Sequence, residues 1–244
     1  MITFYDIAAI DSIKTASPNT WKTRFVLNYK KLPYKTVYLE LPEIETEFKK
    51  LGIPPSELSG PKPRYTCPSI IDDSNNTPVT EAYAIAEYLD KAYPHTPKVF
   101  PPGTEALQAA FYAQFYPVIH PIMQFLLPNA ISILKPASVD YFIRARGEAF
   151  GKLMIEPKGE QRVEAWKQVE AAFDTLHGWL NKSPGPYFMG ETVTFADFVL
   201  GGLLYTLVLI WGENSPEWKD IMTWNNGRWA AFKESLEPYA STDN

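Results

Sequence analysis

The chain has 244 residues, of which 45% are hydrophobic and 21% charged, and its formal net charge is −5. That length buries a real core in one large domain or two small ones. No basic stripe points to nucleic acid, and no acidic block points to a disordered tail. Cys67 is the single cysteine, so no intramolecular disulfide can form, which suits a reducing compartment. The opening MITFYDIAAID has no basic segment and carries acids early, so no secretory signal is expected in it. The longest apolar run, 198-FVLGGLLYTLVLIW-211, is 14 residues. That is short for a membrane span and fits a buried core helix.

Strand and helix signals alternate at first. Residues 2–7 (ITFYDI) read as a strand. Residues 18–31 read as a helix with Trp21, Phe25 and Tyr29 on one face. Residues 35–40 alternate as a second strand, and an acidic helical stretch covers 42–51. A Pro/Gly/Ser-rich loop follows at 52–66. The strands 69–72 and 78–80 flank the turn 73-DSNN-76. Residues 81–93 form a helix with Ala82, Ile85, Ala86 and Leu89 spaced for one face. The order is βαβ, a hairpin, then a helix, over residues 1–94.

The stretch 94-PHTPKVFPPG-103 is rich in proline and reads as a linker over 95–103. From 104 to 244 the pattern is all-helical. Residues 104–134 are aromatic and apolar, with kinks expected at Pro117, Pro121 and Pro128. Residues 138–154 and 159–181 are amphipathic, the second with a stripe of Val163, Trp166, Phe173, Leu176 and Leu180. In 193-VTFAD-197, Thr194 and Asp197 are spaced for a capping box, and Val193 and Phe198 for a hydrophobic staple. The nearly uncharged helix behind them should be central.

Three features bear on chemistry. If the peptide before Pro68 is cis, the turn presents the amide and carbonyl of Cys67 to an extended peptide, as an added strand would pair. Further on, Thr80-Glu81-Ala82 opens a helix whose free N–H groups can hold a carboxylate, while Glu81 can accept an ammonium group. Together these make a cradle for a peptide and an amino-acid head group. The plain alternative is an edge-strand proline and an ordinary first-turn acid. Ser17, with Pro18 behind it, is a natural N-cap. The same position sets a hydroxyl at the positive end of a helix, where a thiol would be pushed toward thiolate. Joined to the cradle, that favours a thiol-containing peptide as ligand.

With Ser17, Pro68, Glu81 and the capping box in one chain, the whole sequence resembles a cytosolic glutathione transferase. The resemblance implies a thioredoxin-like domain followed by an all-helical one. The stretch 17-SPNTWKTRFVLNYKKLPY-34 is similar to the fungal-specific class A enzymes, relatives of bacterial glutathione-dependent β-aryl etherases. The resemblance implies glutathione as co-substrate and no metal. It implies that Ser17 donates to the thiolate, that Cys67 before a cis Pro68 pairs with the cysteinyl part, and that Glu81 and the amide of Ala82 hold the γ-glutamyl group. Arg64, Tyr65 and Thr66 would reach the glycyl end. Where the family usually has serine or threonine after this acid, the chain has Ala82. The departure removes a side-chain hydrogen bond of roughly 0.5–1.5 kcal/mol.

The nucleophile position of cysteine-type relatives corresponds to Ser17, so Cys67 reads as a structural residue. Phe111, Tyr112, Phe115, Tyr116, Ile119 and Met123 follow one another on the first helix of the second domain. They suit a flat hydrophobic ligand, or alternatively core packing or a dimer interface. The histidines 95, 120 and 177 make no metal pattern. The expected activity is serine-type conjugation of aromatic electrophiles in a cytoplasmic homodimer, without nucleic-acid or membrane partners. The alternatives are a non-catalytic carrier of polyphenols (a ligandin), a glutathione-dependent etherase, or a scaffold.

Overall fold

The computed structural model describes residues 1–10, 13–56 and 63–242. The first layer contains β1 (Ile2–Ile7), α1 (Pro18–Tyr29), β2 (Tyr34–Leu39), α2 (Ile44–Leu51), β3 (Ser69–Asp72), β4 (Thr77–Thr80) and α3 (Ala82–Ala92). The sheet order is β2-β1-β3-β4. β1 and β2 run parallel from Ile2↔Tyr34 to Ile7↔Leu39, and β3 and β4 add antiparallel. This is the expected thioredoxin-like arrangement. α1 ends before residue 31 because Lys31 turns to φ 52. α2 starts at Ile44 rather than 42, because residues 40–43 close on themselves: the Glu43 N–H donates to the Glu40 carbonyl and the Glu40 N–H to Glu43 Oε2, both at 2.9 Å.

Alternation along β1 explains why both sheet faces are covered. Ile2 and Phe4 pack toward Phe25 and Val26 of α1 and Ile85 and Leu89 of α3. Tyr5 joins Ile44, Phe48 and Cys67 on the opposite face. Pro78 lies in β4, at the sheet edge, where a missing N–H costs no ladder bond.

The rest is helical: α4 (Glu105–Ile119), α5 (Met123–Asn129), α6 (Pro136–Phe150), α7 (Gly159–Leu180), α8 (Phe195–Trp211) and α9 (Pro216–Ser235). The first break falls at His120-Pro121, whereas Pro117 and Pro128 ride inside α4 and α5. On α7 the buried row is Ala165, Val169, Ala172, Phe173, Leu176 and Leu180. Val163 was expected in it but is 59% exposed: the buried row begins at Ala165, and Val163 stands about 200° round the helix from it. α9 carries no continuous stripe. It bends at Trp224–Gly227, where Asn225, Asn226 and Gly227 all take positive φ.

α8 is the central helix. Its capping box forms: the Thr194 N–H donates to Asp197 Oδ2 at 2.8 Å. The Phe188 N–H donates to the other carboxylate oxygen at 2.9 Å. Val193 and Phe198 are both buried. α8 crosses α1 at unusually close range: a Cβ built on Gly202 would stand 2.5 Å from the Pro18 carbonyl oxygen. The proline-rich connection is tied down as well. Asp90 accepts the N–H groups of Val99 and Phe100 and pairs with Lys30 at 2.7 Å. The Val99 carbonyl in turn accepts the Phe195 N–H at the start of α8. Among the described residues no helix is long and apolar enough to cross a membrane.

Candidate functional site

Ser17 caps α1 with extended backbone (φ −122, ψ 134), as its place before Pro18 predicts. Its Oγ accepts the Asn19 N–H at 3.2 Å. That bond uses a lone pair and leaves the hydroxyl proton free to donate elsewhere. The peptide between Cys67 and Pro68 is cis. Among the described residues, no hydrogen bond engages the Cys67 N–H or carbonyl. The Cys67 thiol is buried, and desolvation with the Asp6 carboxylate behind it raises its pKa well above the ordinary value. A thiol held protonated in this way is a poor nucleophile.

Glu81 stands immediately before α3 with φ 74 and ψ 131, a backbone conformation costing roughly 1–3 kcal/mol for a residue other than glycine. Its N–H donates to the Pro68 carbonyl at 3.3 Å, so the turn before β3 and the head of α3 are joined. Ala82 is the first residue of α3, and its side chain is buried. Arg64 is exposed, and Tyr65 carries Lys49 over its ring at 5.5 Å. Thr66 meets the Ser56 hydroxyl at 2.5 Å.

A cavity of about 320 Å³ opens beside Ser17. Phe115, Tyr116, Ile119 and Met123 of the expected set line it, together with Leu126, Leu203 and Ile210. Met123 does so from the start of α5 rather than from the first helix, which ends at Ile119 before the His120-Pro121 break. Phe111 and Tyr112 stand outside it. Phe111 is packed against Phe188 and Trp179 on the α7 side, and Tyr112 against Tyr83 and Phe195. Phe111 and Tyr112 share faces of α4 with Phe115 and Tyr116, but stand one turn, about 6 Å, nearer the start of the helix, beyond the end of the cavity.

Two cations in the cavity wall escaped the sequence reading. Lys22 is 1% exposed. Its Nζ donates to Asn19 Oδ1 at 2.8 Å and to the Tyr116 hydroxyl at 2.6 Å. It lies 5.0 Å from the Tyr112 ring centroid and 4.8 Å from that of Tyr116. Burial lowers its pKa to about 7, against the opposing pull of Glu81. The Tyr116 ring is 39% exposed, but its hydroxyl turns inward and donates to Asn19 Oδ1 at 2.5 Å. Desolvation raises the phenol's pKa well above 10, so it stays a donor. Arg146 sits on α6 between Phe142 and Phe150, 5.8 Å from each ring centroid. Burial, then the nearby Arg64 charge, lower its pKa. The spacing Phe142-x-x-x-Arg146-x-x-x-Phe150 was legible as one helix face. Nothing local marked Lys22, whose burial needs Gly202 on α8. Among the described residues, no His, Cys, Asp and Glu side chains gather to hold a metal ion.

Known proteins sharpen this geometry. The family model described as Glutathione S-transferase, N-terminal domain, matches residues 16–92, and that described as Glutathione S-transferase, C-terminal domain, matches 106–239. A curated relative, the glutathione S-transferase-like protein ustS of Aspergillus flavus, is 32% identical over 94% of this chain and 87% of its own length. The crystal structure of CsGST63524 of Ceriporiopsis subvermispora, solved with glutathione, superposes with a TM-score of 0.94 at 38% identity, covering 100% of this chain and 99% of that one. GSTFuA3 from Phanerochaete chrysosporium gives a TM-score of 0.91 at 35% identity, covering 100% and 98%. The β-etherase LigF of Sphingobium, at 16% identity and a TM-score of 0.62 over 96% of this chain and 94% of its own, shares the fold alone. The chain belongs to the glutathione S-transferase family.

Proposed function

We propose that the protein is a serine-type glutathione transferase that conjugates glutathione to hydrophobic aromatic acceptors. The observation that carries this reading is Ser17. It caps α1 in the wall of a mostly apolar cavity, with its hydroxyl proton free, in a chain whose relatives include one solved with glutathione. The Ser17 O–H donates to the glutathione sulfur, and the positive end of α1 adds to the effect. Both favour thiolate over thiol. The thiol proton passes to solvent, and the thiolate attacks a ring carbon of an acceptor held against Phe115, Ile119 and Met123. The C–S bond forms as the bond to the leaving group breaks, and that group departs to solvent as its anion, chloride for a chloronitrobenzene.

The unpaired backbone of Cys67 accepts the cysteinyl part as an added strand. Glu81 takes the γ-glutamyl ammonium, and the Ala82 N–H at the head of α3 takes its carboxylate. Arg64, Tyr65 and Thr66 attend the glycyl end. Residues 1–94 then supply the glutathione side and 104–244 the acceptor side. The family likeness also supports a cytoplasmic homodimer with α4 in its interface.

Ser17→Ala tests the role. With an activated chloronitrobenzene as acceptor, kcat/KM should fall at least tenfold in a variant that still folds, loss of the cap costing only about 1 kcal/mol of stability. Unchanged turnover would remove Ser17 from the mechanism. The largely apolar cavity supports a second reading, carriage of polyphenols as a ligandin. Stoichiometric binding of a hydroxylated aromatic ketone with negligible turnover would favour it. Glutathione-dependent release of a phenol from a β-aryl ether would instead favour the etherase reading.

A further inference from the structure

The wall of the cavity is unbalanced in charge. It holds Lys22 and Arg146, and among the described residues lining it none is acidic. This stands in a chain whose net charge is −5. Lys22 gives two of its three donors to neutral oxygens, Asn19 Oδ1 and the Tyr116 hydroxyl. Arg146 has no hydrogen bond or ion pair with any described side chain, and it is held only over the Phe142 and Phe150 rings.

Among the described residues, His120 shares the cavity wall with these two cations, and few other charged or titratable groups bear on them. Tyr112 and Tyr116 of α4 and Glu81 before α3 act on Lys22. Arg64 and Tyr141 act on Arg146. Only Glu81 among them is a carboxylate, and it stands outside the cavity wall. A cation as buried as Lys22 without a counter-charge is costly, the half-buried Arg146 less so, and either is relieved by an anion that reaches it.

We propose that Lys22 and Arg146 determine acceptor specificity, and that the cavity takes aromatic molecules bearing an acidic oxygen, a carboxylate or a phenolate, in preference to neutral aromatics. This rests on the reading of the cavity as the acceptor site. The apolar body of the ligand lies against Phe115, Ile119, Met123 and Leu203, and its oxygen completes the coordination of a cation. Arg146 offers a planar fork suited to a carboxylate. Lys22 offers a point charge in a drier setting next to Ser17.

The test compares isosteres. Binding of 2-naphthoate and of neutral 2-naphthamide is measured by calorimetry near neutral pH on the wild type, Lys22→Met and Arg146→Met, each checked for glutathione-induced thermal stabilisation. Wild type should prefer naphthoate at least tenfold. At least one variant should lose most of that preference while keeping the glutathione response. Equal affinities in the wild type, no binding of either compound, or an undiminished preference in both variants would overturn the proposal. If Lys22→Met fails to fold, Arg146→Met, at the half-buried position, still decides. Retained naphthoate preference without any glutathione response would remove the transferase reading and, with it, acceptor specificity, leaving Lys22 and Arg146 as selectors of a carried ligand.

Discussion

Lys22 and Lys30 belong to the two ends of one helix, and the contrast between them separates structural from functional charge. Both are essentially unexposed, at 1% and 2%. Lys30, just past the last turn of α1, has Asp90 at 2.7 Å and the Pro97 carbonyl at 3.0 Å. Arg24, between them, has Asp6 at 3.0 Å. Lys22, in the first turns beside the cavity, has only an amide oxygen and a phenol. Where a cation of α1 holds the fold together, a carboxylate neutralises it. Where it faces the cavity, the neutralising group is left to whatever binds.

The largest effect expected on breaking this contrast is at the paired end. Asp90→Ala strands Lys30 and leaves the Val99 and Phe100 N–H groups without their acceptor. It should lower stability by about 3–5 kcal/mol in urea unfolding. A loss under about 1 kcal/mol would mean that the pair holds nothing.

At the cavity end the effect depends on pH. A lysine whose pKa is about 7 in the fold and about 10.4 in the unfolded chain binds fewer protons folded than unfolded. Its penalty is therefore full below about pH 7 and is relieved as pH rises toward 10. Relative to Lys22→Met, the wild type should gain about 2 kcal/mol between roughly pH 7 and 9. A flat difference across that range would show that Lys22 is hydrated after all.

Tyr116→Phe should act more weakly, by about 1 kcal/mol, since it removes one acceptor from Lys22 and one donor to Asn19. Smallest is Ala82→Ser. A hydroxyl restored at the head of α3 should tighten glutathione binding by about 2–10-fold, the equivalent of one neutral hydrogen bond. Unchanged affinity in a glutathione titration would show that the backbone N–H alone suffices.

Most of the fold was legible because its signals are local. The alternation of ITFYDI, the Ser17-Pro18 cap and the Thr194–Asp197 box each specify structure within a few residues. The features that escaped are those set by partners distant in sequence. Val163 looked like a stripe residue until Ala165 and Ala172 proved to face the core. α9 lies in the stretch read as helical, but its bounds went unread because its two segments meet at Asn225-Asn226-Gly227 with no shared stripe. The site divided in the same way. Ser17, the Cys67-Pro68 turn and the head of α3 carry backbone signatures that can be read in one dimension. The cavity wall is assembled from α1, α4, α6 and α8, so Lys22 and Arg146 became visible only when those helices were side by side. Phe111 and Tyr112 were over-read because helical spacing fixes the face on which a residue lies, not how far along α4 the cavity extends.

Gly202 ties the deepest part of the molecule to its surface chemistry. Because α8 meets the Pro18 carbonyl with no room for a methyl group, the position of the serine hydroxyl beside the cavity is referenced to the stretch 195–207 of α8, which is buried throughout. Under the proposed role of Ser17, repacking of α8 against α1 would move that hydroxyl without replacing it.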